Sequence, residues 1–150
     1  MIPTITILKN EQLLQTASSI NPSGVLARSP NNLIYLDIDD AYIHCLFPLL
    51  HEKEIKKPNY FGKSLAGAHV SVMYPEETFL LDTQDLGQKY DFKIKELVIA
   101  EIHLKKYYVL LVDCPLLMRL RNKYGLADQL NFKSYWIDLH ITIGVSTLIQ

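Results

Sequence analysis

The sequence predicts an α+β domain. β-rich runs with partial apolar alternation recur from Thr4 to Val145, short helical patterns fall between them in mixed order, and the two longest runs are separated only by a short turn, as in an antiparallel hairpin. Residues 4–8 read as a strand, and Asn10 is placed to cap a helix carrying Leu13, Leu14 and Ala17. Asn21-Pro-Ser-Gly24 then breaks the chain. Residues 33–38 form the next strand, followed by a helix through Ala41, Ile43, Leu46 and Leu50, capped by Asp39 or Asp40 and kinked or restarted at Pro48. A basic, turn-rich stretch over 52–63 leads to a strand over 68–74, which Pro75 ends. Residues 92–102 and 107–112 make the hairpin, turning around Leu104-Lys-Lys106. Pro115 suits the first turn of a helix over 116–123, with Gly125 as its C-cap, and residues 135–145 form the last strong strand.

The chain has 150 residues, 49% of them hydrophobic and 21% charged, so it holds enough apolar surface to offset chain entropy. Without solenoid repeats, low-complexity tracts or linker-like stretches, residues 1–150 are expected to make one continuous domain. Fifteen Lys and Arg against sixteen Asp and Glu disfavour a protein that grips a long duplex nucleic acid by neutralising phosphates. A small nucleotide or a nucleic-acid terminus remains compatible. Cys45 and Cys114 lie far apart without a Cys-x-x-Cys pair, and both are expected reduced and buried. No apolar run approaches membrane-spanning length and the N-terminus lacks a signal-like pattern, so a cytoplasmic, non-membrane protein is expected. Its oligomeric state is not legible.

Two of the five histidines sit in the same local frame, His69-Val-Ser71-Val and His140-Ile-Thr142-Ile. In a strand, residues i and i+2 project from one face, so each segment shows imidazole and hydroxyl together while Val70, Val72, Ile141 and Ile143 anchor in a core behind. The same pattern also suits two half-buried strand histidines with locally bonded hydroxyls. Facing each other, the two pairs suit phosphoryl transfer without a metal: one neutral His takes a proton, one protonated His gives one, and the hydroxyls of Ser71 and Thr142 hold non-bridging phosphate oxygens. Lys53, Lys56, Lys57 and Lys63 form the one basic concentration, either a solvated loop or a lid whose Lys63 reaches the phosphate. Tyr60, Phe61, Tyr74, Tyr135 and Trp136 flank the boxes as core or as base-stacking residues. Tyr74 lies at the end of the first box strand, and Trp136, four before His140 on one strand, faces the same way. His44, His51 and His103 have no carboxylate or thiol at zinc-ligand spacing, so no metal site and no cofactor are expected.

The two His-x-Ser/Thr-x boxes resemble the signature motifs of the two-histidine (2H) phosphoesterases, the superfamily of LigT-like cyclic phosphodiesterases. Phe132-Lys-Ser-Tyr-Trp-Ile-Asp-Leu-His-Ile-Thr-Ile-Gly144 is similar to the family's closing motif, and Gly67-Ala-His-Val-Ser-Val-Met-Tyr-Pro75 to the branch called Swiss-army-knife phosphoesterases. The resemblance runs from Leu33 to Val145. It implies two pseudo-symmetric lobes whose antiparallel sheets flank a central cleft, with one box on a central strand of each. It also implies metal-independent cleavage of 2′,3′-cyclic phosphates or 2′-5′ linkages in nucleotides or RNA ends, with His69 as acid and His140 as base. A non-catalytic module that binds a nucleotide or RNA end in the same cleft is the alternative. Since no metal-ligand spacing surrounds the boxes, turnover of a nucleoside 2′,3′-cyclic phosphate is expected to survive EDTA. A chelator-sensitive activity restored by one added cation would overturn this expectation.

Overall fold

The computed structural model describes residues 4–63, 65–77, 81–132 and 135–147. Its elements are β1 (Thr4–Ile7), α1 (Glu11–Ser18), β2 (Ser23–Arg28), β3 (Ile34–Ile38), α2 (Ala41–His44), a 3-10 turn (Phe47–Leu50), β4 (His69–Met73), a second 3-10 turn (Thr83–Asp85), β5 (Lys89–Asp91), β6 (Lys93–Ile102), β7 (Lys105–Asp113), α3 (Pro115–Lys123), β8 (Leu130–Phe132), β9 (Tyr135–Ile137) and β10 (His140–Thr147). Eight strands form one sheet in the order β1-β6-β7-β10-β4-β3-β2-β5, and β8 pairs with β9 as a separate hairpin. Every strand pairing is antiparallel, so the architecture is α+β as the sequence predicts.

A repeat is visible in this order. Hairpin β2-β3, helix α2 and strand β4 recur as hairpin β6-β7, helix α3 and strand β10, and the two box strands meet at the centre of the sheet. The helices pack across the junction, α2 against β10 and α3 against β4. Val70, Val72, Ile141 and Ile143 are completely buried, which anchors each box strand in the core as its alternation requires. Exchange at the edges ties the halves further, because β1, first in the chain, closes the outer edge of the half that contains β6, β7 and β10.

Most elements lie where the sequence puts them, and the differences have local causes. Asn10 caps α1 by accepting from Leu13 N at 3.0 Å, and Gly125 follows α3 with φ +76°. Asp39 accepts from Ala41 N at the start of α2, but α2 is a single turn and the chain restarts at Pro48 as a 3-10 turn. Cys45 at the end of that turn is exposed, contrary to expectation, while Cys114 is buried. The 21–24 break conceals the start of β2. Gly24 reads as punctuation, yet it is a paired strand residue: a Cβ there would lie 2.4 Å from the Asp37 carbonyl of β3, so glycine permits the close approach. The hairpin turn sits one residue earlier than predicted, at His103 and Leu104, both with positive φ. The long strand expected over 135–145 is broken at Asp138 and Leu139.

One buried cation links the halves. Arg121 of α3 is completely buried and spends all five of its N–H donors: Nε on Ala127 O, Nη1 on Val72 O and Glu77 Oε1, Nη2 on Glu77 Oε2 and Gln129 O, at 2.6–3.2 Å. The bidentate fork on Glu77 offsets the desolvation of both charges. Arg121→Ala strips three carbonyls of their Arg121 donors and leaves the Glu77 carboxylate with the Tyr74 amide but no cation, so it should lower the unfolding free energy by about 3–5 kcal/mol in urea titrations. A loss below about 1 kcal/mol, within the range of an exposed ion pair, would show that this network is not what holds α3 to β4.

Candidate active site

The two box strands are paired through Ile141 and Val70. In an antiparallel register that pair places Thr142 across from His69 and His140 across from Ser71, with all four side chains on the face opposite the buried Val70 and Ile141. The two imidazoles are therefore diagonal neighbours, roughly 7 Å apart at Cβ, with a hydroxyl beside each. His69, His140 and Thr142 are buried and Ser71 is half-buried.

Each imidazole is held in the same way. His69 Nδ1 lies 2.8 Å from the Gly67 carbonyl, and His140 Nδ1 lies 2.8 Å from the Asp138 carbonyl, two residues back in both cases. A carbonyl only accepts, so Nδ1 carries the proton and Nε2 is left as the titrating nitrogen. The local backbone is shaped for these bonds. Gly67 has φ +70°, and a Cβ there would lie 2.7 Å from Asp40 Oδ1, which itself accepts from Ala68 N. On the other side, the break between β9 and β10 turns the Asp138 carbonyl toward its imidazole. The Asp138 carboxylate is fixed by Lys95 at 3.0 Å and Gln129 at 2.9 Å.

Both strands also bulge just past the hydroxyl residue. Pairing with β3 skips Val72 between Ser71 and Met73, and pairing with β7 skips Ile143 between Thr142 and Gly144. Val72 and Met73 both turn into the core as a result, and alternation resumes with Tyr74 on the histidine face. Burial raises the Tyr74 phenol, and neighbouring Tyr60 raises it further. Arg121 holds the Val72 carbonyl at this bulge.

Side chains from outside the boxes complete the floor and walls. Tyr60, arriving on the 56–67 segment, sets its ring 4.6 Å from that of His69 and shares a hydrogen bond with the Thr142 side chain, so it touches both boxes. Tyr35 and Asp37 of β3 stand across from Ser71 and His69, and the Tyr35 ring meets His69 edge-on at 5.7 Å. Phe132 meets His140 edge-on at 5.8 Å and Tyr107 at 5.1 Å. Burial pushes both imidazoles below the ordinary 6.5. The opposing influences differ: the Gly67 carbonyl and then the Asp37 carboxylate favour His69 in its protonated form, whereas His140, helped by the Asp138 carbonyl and more weakly by the Asp138 carboxylate, is also opposed by the charge of His69.

The structure brings together His69, Ser71, His140, Thr142 and Tyr74. Lys63 is exposed on the turn after Gly62. Trp136 is 50% exposed and pairs with Asn131 in the β8-β9 hairpin, so the strand parity that put it on the face of His140 does not apply. Lys133 and Ser134 of the closing motif lie outside the described residues. Sequence reasoning missed Asp37, Tyr35 and Tyr107. The signal was present in the alternation of residues 34–38, which buries Ile34, Leu36 and Ile38 and turns Tyr35 and Asp37 the other way. Among the described residues no group of three or more His, Cys, Asp or Glu side chains is placed to hold a metal ion. No described helix is long and apolar enough to cross a membrane.

Residues 34–148 match the family model of the Swiss Army Knife, 2H phosphoesterase domain. The chain belongs to the 2H phosphoesterases. No curated protein and no solved structure matches it. The match spans both boxes, all of β3 to β10, and the repeated hairpin-helix-strand units apart from β2, and it assigns this 2H domain to the phosphoesterases, a class of hydrolases.

The two depressed imidazoles have a consequence for stability. The folded state holds both His pKa values below those of the unfolded chain, so the unfolded state binds more protons and unfolding free energy rises with pH. Stability should be full above about pH 7 and decline as pH falls below 6.5 toward the folded values. Chemical denaturation between about pH 5 and 7.5 should show this slope, and a His69→Gln/His140→Gln variant should lose part of it. An unchanged slope in the double variant would mean that other groups dominate the pH dependence.

Proposed function

We propose that this 2H domain is a metal-independent phosphodiesterase acting on 2′,3′-cyclic phosphates or 2′-5′-linked nucleotides, free or at RNA ends. The observation that supports it is the diagonal pair of imidazoles, each tethered by Nδ1 and each beside a hydroxyl. A phosphoryl group lying between them meets one Nε2 on each side. His140, the more opposed to protonation, is the base: its neutral Nε2 takes a proton from the attacking water. His69, facing Asp37, is the acid and passes its Nε2 proton to the oxygen that leaves as the P–O ester bond breaks. Ser71 and Thr142 donate hydroxyl hydrogens to the non-bridging oxygens as charge gathers there. Thr142 exchanges its Tyr60 partner for phosphate on binding.

Turnover of a nucleoside 2′,3′-cyclic phosphate is the direct test, and a module that only binds would give none at any pH. His69→Ala and His140→Ala should each lower kcat/KM by at least about 10²-fold in folded protein. Wild type should follow a bell in pH, with the acid limb set by the base and the alkaline limb by the acid. Asp37→Asn removes the carboxylate that favours protonated His69, so the alkaline limb should move to lower pH while the acid limb stays. Near-full turnover in either histidine variant, or movement of the acid limb instead, would overturn the assignment.

A further inference from the structure

Past the histidines, on the same face of the sheet, lies a cavity of about 600 Å³. Lys56, Lys57, Lys105, Tyr107, Val145 and Ser146 line it, with Glu54 as its one carboxylate. The chain builds this cavity deliberately. Where β4 has left the sheet, Lys56 takes its place beside β10, exchanging two backbone hydrogen bonds with Val145 at 2.8 and 2.9 Å. Lys105 and Tyr107 stand across from Thr147 and Val145 on β7. The bulge at Ile143 turns Gly144 toward the core, where its Cβ position is 2.7 Å from Ile55, and so returns Val145 and Thr147 to the histidine face. Tyr107 connects cavity and site through Phe132, which touches His140.

Its lining carries three cations against one carboxylate. Lys95, Lys106 and Lys123 are each paired with a carboxylate, whereas Lys56, Lys57 and Lys105 pair with no carboxylate among the described residues. Lys57 is engaged by His44 Nδ1 at 3.0 Å, which leaves the exposed Lys56 and Lys105 as the lining cations with no side-chain partner among the described residues. Beside His69, and across Asn59 from the first, lies a second cavity of about 370 Å³ whose lining is mainly apolar, with Pro30, Leu33, Leu65, Ala66 and Tyr60 beside the polar Ser29 and Asn31. From Thr142 to Val145 the partner strand advances two residues, from Val109 to Tyr107, or about 7 Å.

We infer that Lys56 and Lys105 bind a second phosphoryl group of the substrate, one ribose away from the phosphate under attack, while the base lies in the apolar cavity beside His69. The inference rests on the phosphodiesterase reading and narrows its substrate class to nucleotides that carry a further phosphate, such as a 5′-phosphate. Two ammonium groups without carboxylate partners favour a phosphoryl group over a neutral hydroxyl by charge-assisted hydrogen bonds.

The test compares a nucleoside 2′,3′-cyclic phosphate with and without a 5′-phosphate. Wild type should favour the 5′-phosphorylated form in kcat/KM by about tenfold or more. The ratio should fall toward one in a Lys56→Ala/Lys105→Ala variant, persist in Lys56→Arg/Lys105→Arg, and shrink with added salt. Equal turnover of both substrates by wild type, or a preference that survives the double alanine change, would overturn the inference. If neither cyclic phosphate is cleaved, the proposed reaction fails, and the subsite is read by calorimetry with a nucleoside 2′,5′-bisphosphate against the 2′-monophosphate. Tighter binding of the bisphosphate that the double alanine variant abolishes supports the subsite, and equal affinities overturn it.

Discussion

The site depends on one strand pairing. β4 and β10 meet through Val70 and Ile141, two side chains without polar atoms that are completely buried. Their burial decides which way the neighbouring residues must point, because alternation along a strand leaves no choice once one face is anchored. Two imidazoles and two hydroxyls are thereby delivered to one patch from the middle of the chain and from near its end. A one-residue slip of either strand would send its histidine into the core and its valine or isoleucine to the cleft, so hydrophobic burial protects the polar geometry.

Around that pairing the structure adds devices that make the two halves equivalent. Each imidazole is tied to the carbonyl two residues back, and each box strand bulges at the residue after its hydroxyl. The equivalence is then broken by what lies alongside. Asp37 stands across from His69, while the residue across from His140 on β7 is Leu111. Unlike neighbours are a simple way to give two like groups different protonation states, which acid–base chemistry requires: Asp37 favours protonated His69, whereas the weaker pull of the Asp138 carboxylate on His140 is outweighed by the charge of His69. Arg121 ties the halves together instead, since its five donors bind the bulge carbonyl of β4, Glu77 and the loop that leads into β8.

The 56–67 segment has a double place in this arrangement. Its early part, at Lys56, continues the sheet beside β10, and its later part carries Tyr60 between the boxes and Gly67 to the start of β4. The Lys-rich stretch that the sequence offers as either a solvated loop or a lid is therefore a wall of the cleft, with Lys56 and Lys57 facing a cavity and Lys63 on an exposed turn.

The sequence by itself determined the helix caps at Asn10 and Gly125 and the His-hydroxyl pairs, because each rests on spacing within a few residues, and it determined the α+β class and the family from the order of such local patterns along the chain. Local periodicity reports which residues share a face, and it did so for Val70 and Val72 as for His69 and Ser71. Tertiary structure alone decided what depends on pairing between distant segments. Gly24 reads as a break until β3 is known to approach it, and residues 135–145 read as one strand until the Asp138 carbonyl is drawn out to His140 and β9 is claimed by β8. Trp136 lost its expected place through that break, and Tyr74, which strict alternation would turn to the other side, reaches the histidine face through a bulge that no period-two pattern contains. Asp37 became part of the site only through register, since a carboxylate on a strand has no chemistry until a neighbouring strand sets an imidazole across from it.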